Sequence, residues 1–222
     1  MIEDDESFGS VLKSYLELNG FKVVWQTAGR TVEKTILQVQ PDICILDVML
    51  PEVDGFTLAA RIRNLKPSLP FLFLTARSQI NDIRKGFGTG AEDYLTKPFD
   101  SEVLVLKVRA ILSRTSTFKD AEPRETVIGK FLFDYEGRKL ISEHQVRHLT
   151  PREADLLKML YDHRNSVLKR ETVLNALWGD TSWFNNRNLD VYISRLRKYL
   201  SDDRGIEIIT LHGKGYRMVI QE

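Results

Sequence analysis

The feature that most constrains this chain is an alternation confined to its first half. Two short apolar runs rich in β-branched residues, Phe21–Val24 and Ile43–Val48, and a third apolar run, Phe71–Leu74, are followed by a fourth that begins at Tyr94-Leu95. Between them lie stretches with helical spacing. Phe8, Val11, Leu12, Tyr15 and Leu16 share one face, and that stretch stops at Gly20, a residue suited to the position after a helix. Thr57–Leu65 ends before Pro67, and Glu102–Leu112 is a further amphipathic segment. A strand apolar on both faces must be covered on both, so the pattern predicts a doubly wound α/β unit with a parallel sheet between helix layers. With 222 residues and 42% hydrophobic side chains, the chain can build this core and a second one.

The periodicity dissolves between Ser113 and Glu125, a polar segment containing Pro123. We read residues 1–115 as one domain, 116–125 as a linker and 126–222 as a second domain. In the second, Val127–Tyr135, Lys139–Ile141 and Gln145–His148 read as short antiparallel strands. Thr150-Pro151-Arg152-Glu153 is a capping box with proline at the first helical position. It opens a helix, followed by a second at about Arg170–Trp178 and a third at about Asn186–Leu200. The end, Ile206–Leu211 and Tyr216–Ile220 around Gly213-Lys214-Gly215, reads as a hairpin. Three helices and a hairpin predict a winged helix-turn-helix of α+β class.

Glu3, Asp4 and Asp5 form a carboxylate cluster just after a strand, and Asp47 ends the run Ile43–Leu46. In an open parallel sheet, ligands sit at the carboxyl ends of strands where the order reverses. Carboxylates brought together there repel unless a cation lies between them. Oxygen ligands with open positions suit Mg²⁺. Thr75 and Lys97 end the third and fourth strands and should face the same point. A carboxylate nucleophile, a metal site, a hydroxyl and an ammonium suit phosphoryl transfer. Taken singly, an acidic run is usually solvated and a lone strand-end aspartate is often a cap. The combination at successive strand ends favours the site.

These motifs, Ile2-Glu3-Asp4-Asp5, Asp47-Val48-Met49-Leu50-Pro51, Asp54-Gly55, Thr75-Ala76 and Tyr94-Leu95-Thr96-Lys97-Pro98-Phe99, resemble those of response-regulator receivers. The second half, through Thr150–Glu153, Asp190–Leu200 and Gly213–Arg217, resembles the OmpR/PhoB effector. The resemblance implies a flavodoxin-like receiver with five parallel strands in the order 2-1-3-4-5. It implies that a sensor histidine kinase phosphorylates Asp47. Mg²⁺ would be bound by Asp4, Asp47 and the Met49 carbonyl, with Glu3 holding a metal-bound water. It further implies a cis Lys97–Pro98 bond, and a switch in which Thr75 moves toward the phosphoryl group while Tyr94 turns inward. Phosphatases of the haloacid dehalogenase type also form an aspartyl phosphate. They carry a second aspartate two residues after the nucleophile, where this chain has Met49. Without that acid/base the phosphoryl group should persist as a signal, so we read the chain as a regulator and not an enzyme.

Net charge is only +1. Residues 1–120 carry 15 basic and 16 acidic side chains and residues 121–222 carry 17 and 15, so a DNA footprint must be local. In the third helix, Asn188, Tyr192, Arg195 and Tyr199 fall three or four apart and are expected to form an exposed face for base edges. Arg187, Arg197 and Lys198 add positive charge, with Arg187 and Lys198 placed for phosphates. Lys214 or Arg217 would approach the minor groove from the wing, although relatives commonly have arginine where His212 stands. The aromatic pair Trp183 and Phe184, in the loop Gly179–Asn186, marks the segment that touches RNA polymerase in some relatives.

Activated receivers of the family pair as two-fold dimers. The residues here would be Ile83 and Val103, apolar where relatives have a charged pair, with Asp93–Lys107 and Glu92–Arg114 as the retained ion pairs. The rival reading is a DNA-binding protein whose receiver serves only for dimerisation. Intact Glu3, Asp4, Asp47, Thr75 and Lys97 argue against it. Only Met1 and Ile2 precede the acidic cluster, so further strand residues are expected upstream. A stub there would strand backbone groups of both neighbours, at about 1–3 kcal/mol each if buried. No apolar run reaches the ~18 residues of a membrane span. The N-terminus has no secretory signal, and the single cysteine, Cys44, fits a core position in a cytoplasmic protein.

Overall fold

The computed structural model describes residues 1–76, 91–116, 125–179, 181 and 183–221. The chain divides into two compact units, Met1–Thr115 and Ser116–Glu222.

The first unit runs α1 (Glu6–Leu18), α2 (Val32–Val39), β1 (Cys44–Asp47), α3 (Gly55–Leu65), β2 (Phe71–Ala76), β3 (Asp93–Lys97) and α4 (Ser101–Ser116). The three named strands are parallel in the order β1-β2-β3. Two single bridges extend the sheet, because Ile2 pairs with Leu46 on one side and Gln26 on the other. Five chain segments therefore lie side by side in the expected order, but the first two are short. The expected strand Phe21–Val24 is not formed as a strand, and pairing there is confined to Gln26. Met1–Glu3 nevertheless serves both neighbours: Ile2 N–H donates to the Ile45 carbonyl (2.9 Å), Asp47 N–H to Ile2 (2.9 Å), Glu3 N–H to Gln26 (3.1 Å) and Gln26 N–H to Met1 (3.0 Å).

Every residue of β1 is buried, which is why no polar/apolar alternation is visible in it. Leu58, Ala59 and Ile62 of α3 are fully buried, at helical spacing. Leu104, Val105, Val108 and Ile111 of α4 close a core with Leu12 and Leu16 of α1. Asp5 caps α1, accepting from the Phe8 N–H at 2.9 Å, and Asp54 caps α3, accepting from Phe56 and Thr57. Helix α2 was not evident in the sequence. It is only eight residues long and leaves Leu37 and Val39 exposed.

The second unit begins with an antiparallel sheet, β4 (Glu125–Ile128), β5 (Phe131–Asp134), β6 (Lys139–Ile141) and β7 (Val146–His148). Then follow α5 (Pro151–Asp162), β8 (Leu168–Lys169), α6 (Arg170–Trp178), α7 (Trp183–Leu200), β9 (Ile206–Leu211) and β10 (Gly215–Ile220). The capping box at Thr150 and Glu153 is complete in both directions. Helix α6 stops at Gly179, whose φ of 79° is a left-handed conformation that glycine adopts freely. Strand β8 makes the terminal hairpin three-stranded, in the order β8-β10-β9. One apolar cluster joins the four-stranded sheet, the three helices and the hairpin. Most of the proposed linker, 117–124, lies outside the described residues.

Candidate functional site

The parallel register places Asp47 opposite Leu74, Thr75 opposite Thr96, and Ala76 opposite Lys97, so the carboxyl ends of β1, β2 and β3 share one edge. Glu3 joins them through the Ile2 bridges. Lys97 Nζ lies 2.5 Å from Asp47 Oδ2 and 2.9 and 2.8 Å from the two Glu3 oxygens. The Met49 N–H donates to Asp47 Oδ1 at 2.7 Å and sets the plane of that carboxylate. Glu3 and Asp47 are buried and Asp4 is exposed. Carboxylate oxygens of Glu3, Asp4 and Asp47 lie within 4.8 Å of one another.

Burial pushes the Glu3 carboxyl up to about 7; Asp47 adds to the rise, and the hydrogen bond from Lys97 opposes it. Burial would lower the Lys97 ammonium, but its bonds to Asp47 and Glu3 outweigh that and hold it above its usual range. One ammonium among three carboxylates leaves the site negative. All the donors are hard oxygens and one carboxylate opens to solvent. This donor set fits a divalent cation such as Mg²⁺. Asp5 belongs to the helix cap instead.

Two aromatic residues to which the sequence reading gives no site role lie beside these groups. The Phe8 ring lies 4.5 Å from Lys97 Nζ, and the Trp25 indole N–H donates to the Glu3 carbonyl at 2.9 Å. In the sequence Phe8 reads only as an apolar helix position. Gly55 is required behind the site, because a Cβ there would lie 2.1 Å from the Asp47 carbonyl oxygen. Thr75 is fully buried at the end of β2. The Tyr94 ring is buried and stacked on Phe73 at 5.4 Å between centroids. The Lys97–Pro98 bond is cis.

On the expected dimer face, Val103 is 39% exposed and Leu106, its neighbour on α4, 58%. Lys107 Nζ meets Asp93 Oδ2 at 2.7 Å within the one chain. Glu92 corrects an expectation: it is fully buried, its N–H bonded to the Phe71 carbonyl where the sheet begins, and does not stand on an open face. Arg114 lies in the last turn of α4, and Ile83 lies outside the described residues.

The larger correction concerns α7. Asn188 and Tyr192 are fully buried, so the face predicted to meet bases is the face packed into the domain. Arg195 also turns inward, with Nη1 3.2 Å from Glu153 Oε1, and the Tyr199 hydroxyl donates to that oxygen at 3.1 Å. Tyr192 packs with Leu189, Ile193, Leu196 and Leu200, leaving Val191 half-exposed. The sequence reading places Tyr192 on the exposed face, and the structure places it inside. A phenol can follow either face, and only packing against Trp178, 5.8 Å between ring centroids, decides it. The outward row is Arg187, Val191, Ser194 and Lys198, spaced four, three and four apart. Arg197 is exposed but bonds Ile208 O (2.8 and 2.6 Å) and the Thr210 hydroxyl (2.7 Å), tying α7 to β9. Lys214 is exposed at the hairpin tip, and Arg217 is half-buried along β10. Trp183 and Phe184 open α7 and do not sit in a loop.

An acidic site at the sheet edge of one unit and a winged helix in the other are matched by known families. Residues 1–109 match the response regulator receiver domain, and residues 144–218 match the transcriptional regulatory protein C-terminal domain. The chain is 42% identical over 222 residues to transcriptional regulatory protein RprY of Bacteroides fragilis, covering 100% of this chain and 94% of that protein. It is 31% identical over 229 residues to transcriptional regulatory protein SrrA of Staphylococcus aureus, covering 100% and 95%. A solved structure of a RitR mutant superposes with a TM-score of 0.75 at 26% identity, over 100% of this chain and 97% of that one. The class is therefore a two-component response regulator with a DNA-binding effector domain. Within that class, the chain belongs to the OmpR/PhoB family. Among the described residues, no helix is long and apolar enough to cross a membrane.

Proposed function

We propose that this protein takes a phosphoryl group on Asp47 from a sensor histidine kinase, pairs as a two-fold homodimer and then binds promoter DNA. The observation that carries this reading is the Asp47 carboxylate held between the Met49 N–H and Lys97 beside Glu3 and Asp4. An Asp47 oxygen forms a bond to phosphorus as the phosphorus–nitrogen bond to the kinase histidine breaks, and the imidazole leaves with a proton. Lys97 neutralises charge on the transferred group. Glu3, Asp4, Asp47 and the Met49 carbonyl would hold Mg²⁺, which supplies further charge neutralisation when bound. Thr75 and Tyr94 carry the change toward the face containing Val103. Asp93–Lys107 would contribute there by exchanging partners across the two-fold axis. The test is sedimentation before and after treatment with acetyl phosphate and Mg²⁺. The labelled protein should sediment as a dimer, and a labelled monomer at the same concentration would contradict the assembly step.

On the effector, the outward row of α7 carries the major-groove contacts, with Arg187 and Lys198 at its two ends and Lys214 reaching from the wing. Segment 179–186 is the part offered to RNA polymerase. Lys198→Ala should weaken binding to all duplexes by a similar factor and lower the slope of log affinity against log salt by about 1. Affinity measured at several salt concentrations on two unrelated duplexes checks this. A loss confined to one sequence would assign Lys198 to base reading instead.

A further inference from the structure

The first residue of α6 joins three elements. Arg170 Nε donates to Asn186 Oδ1 at 2.7 Å and Nη2 to the Asn186 carbonyl at 2.5 Å. Its Nη1 donates to Asp190 Oδ1 at 2.7 Å and to the Tyr216 hydroxyl. The Tyr216 hydroxyl in turn donates to Asp190 Oδ1 at 3.0 Å. The Arg170 backbone N–H reaches the Lys214 carbonyl at 3.3 Å. Asn186 and Asp190 stand in the N-terminal half of α7, and Tyr216 and Lys214 belong to the wing. The guanidinium therefore sits at the back of an open cleft between α7 and the hairpin. Gly215 makes the approach possible, because a Cβ at that position would lie 2.1 Å from the Leu168 carbonyl.

We propose that Arg170 is the positioning residue that fixes the wing relative to the recognition helix, and that discrimination between duplex sequences depends on it. The proposal rests on the DNA-binding reading above and adds to it the residue that aligns its two contacting elements. A planar fork with donors in fixed directions can hold the two edges of Asn186 and the Asp190–Tyr216 pair at once, and an ammonium cannot. Phosphate contacts tolerate small displacements of a helix or wing, whereas base contacts depend on geometry. Loss of the fork should therefore cost specificity before it costs general affinity.

The test uses the full chain, with wild type, Arg170→Lys and Arg170→Met compared. Arg170→Lys keeps the charge. Amide hydrogen exchange is measured without DNA, and affinity is measured for a duplex that the wild type selects from a random pool and for an unrelated duplex. In Arg170→Lys, exchange over residues 186–190 and 211–216 should rise together while the β5 and β6 amides stay protected. The ratio of selected to unrelated affinity should fall about tenfold, the size of a coupling within one network, with unrelated binding changed by less than about twofold. Arg170→Met should extend both effects. Unchanged exchange at the wing and helix, or equal loss on both duplexes, would overturn the proposal. A wild type that prefers no duplex would instead overturn the DNA reading, and the exchange measurement would still decide whether Arg170 couples wing to helix.

Discussion

Asp47→Ala is expected to gain no mass on incubation with acetyl phosphate and Mg²⁺, under conditions where the wild type gains roughly 80 Da, one phosphoryl group. Three carboxylates share the site, so the choice among them is a claim about geometry. Both Glu3 oxygens lie against Lys97, and that side chain is fully buried. Asp4 is exposed, and Asp5 caps α1. Asp47 alone is oriented by a backbone N–H at the end of a central strand. The substitution should leave the fold intact, because Lys97 keeps its bonds to Glu3. Intact mass spectrometry reads the result. An alanine variant that labels as fully as the wild type would move the acceptor elsewhere.

Glu153→Ala is expected to be the most damaging single substitution among the polar residues of the effector. Glu153 is 2% exposed. Its Oε2 accepts the Thr150 N–H at 2.9 Å, and its Oε1 accepts from Arg195 and Tyr199. Burial and the neighbouring Glu153 push the Tyr199 phenol up to about 12, so it remains a donor at neutral pH. Removing the carboxylate opens the capping box and takes from Arg195, 16% exposed, the buried oxygen it bonds. Breaking a buried pair from one side costs about 3–5 kcal/mol. For a domain of about 100 residues, each 1 kcal/mol lowers the melting temperature by roughly 4–8 °C. Calorimetry should therefore show the effector transition falling by at least about 12 °C. Glu153→Gln should lose much less, because the amide oxygen still accepts. An alanine variant melting with the wild type would remove Glu153 from the list of groups that hold α7 in place.

Much of this was legible in the sequence, because the signals were local. The capping box at Thr150, the apolar runs ending in Asp47 and Thr75, and the glycine-flanked hairpin tip each reflect short-range chemistry. The rotation of α7 was not legible. Val191 and Tyr192 differ by one position, both suit a half-buried site, and only contacts with Trp178 and the helix α5 core choose between them. The roles of Arg195, Arg197 and Arg170 were hidden for the same reason. An arginine in a basic helix looks alike in sequence whether it faces phosphate or a buried glutamate 42 residues away.

The central claim is that phosphorylation of Asp47 controls DNA binding, and it is tested most directly by titrating one duplex with the same preparation before and after labelling. The duplex is first selected by the labelled protein from a random pool, and intact mass reports occupancy at Asp47 in each sample. The labelled wild type should bind more tightly than the unlabelled protein, and Asp47→Ala should stay at the unlabelled affinity after the same treatment. Equal affinity at full occupancy would contradict the account and leave the receiver as a dimerisation platform alone.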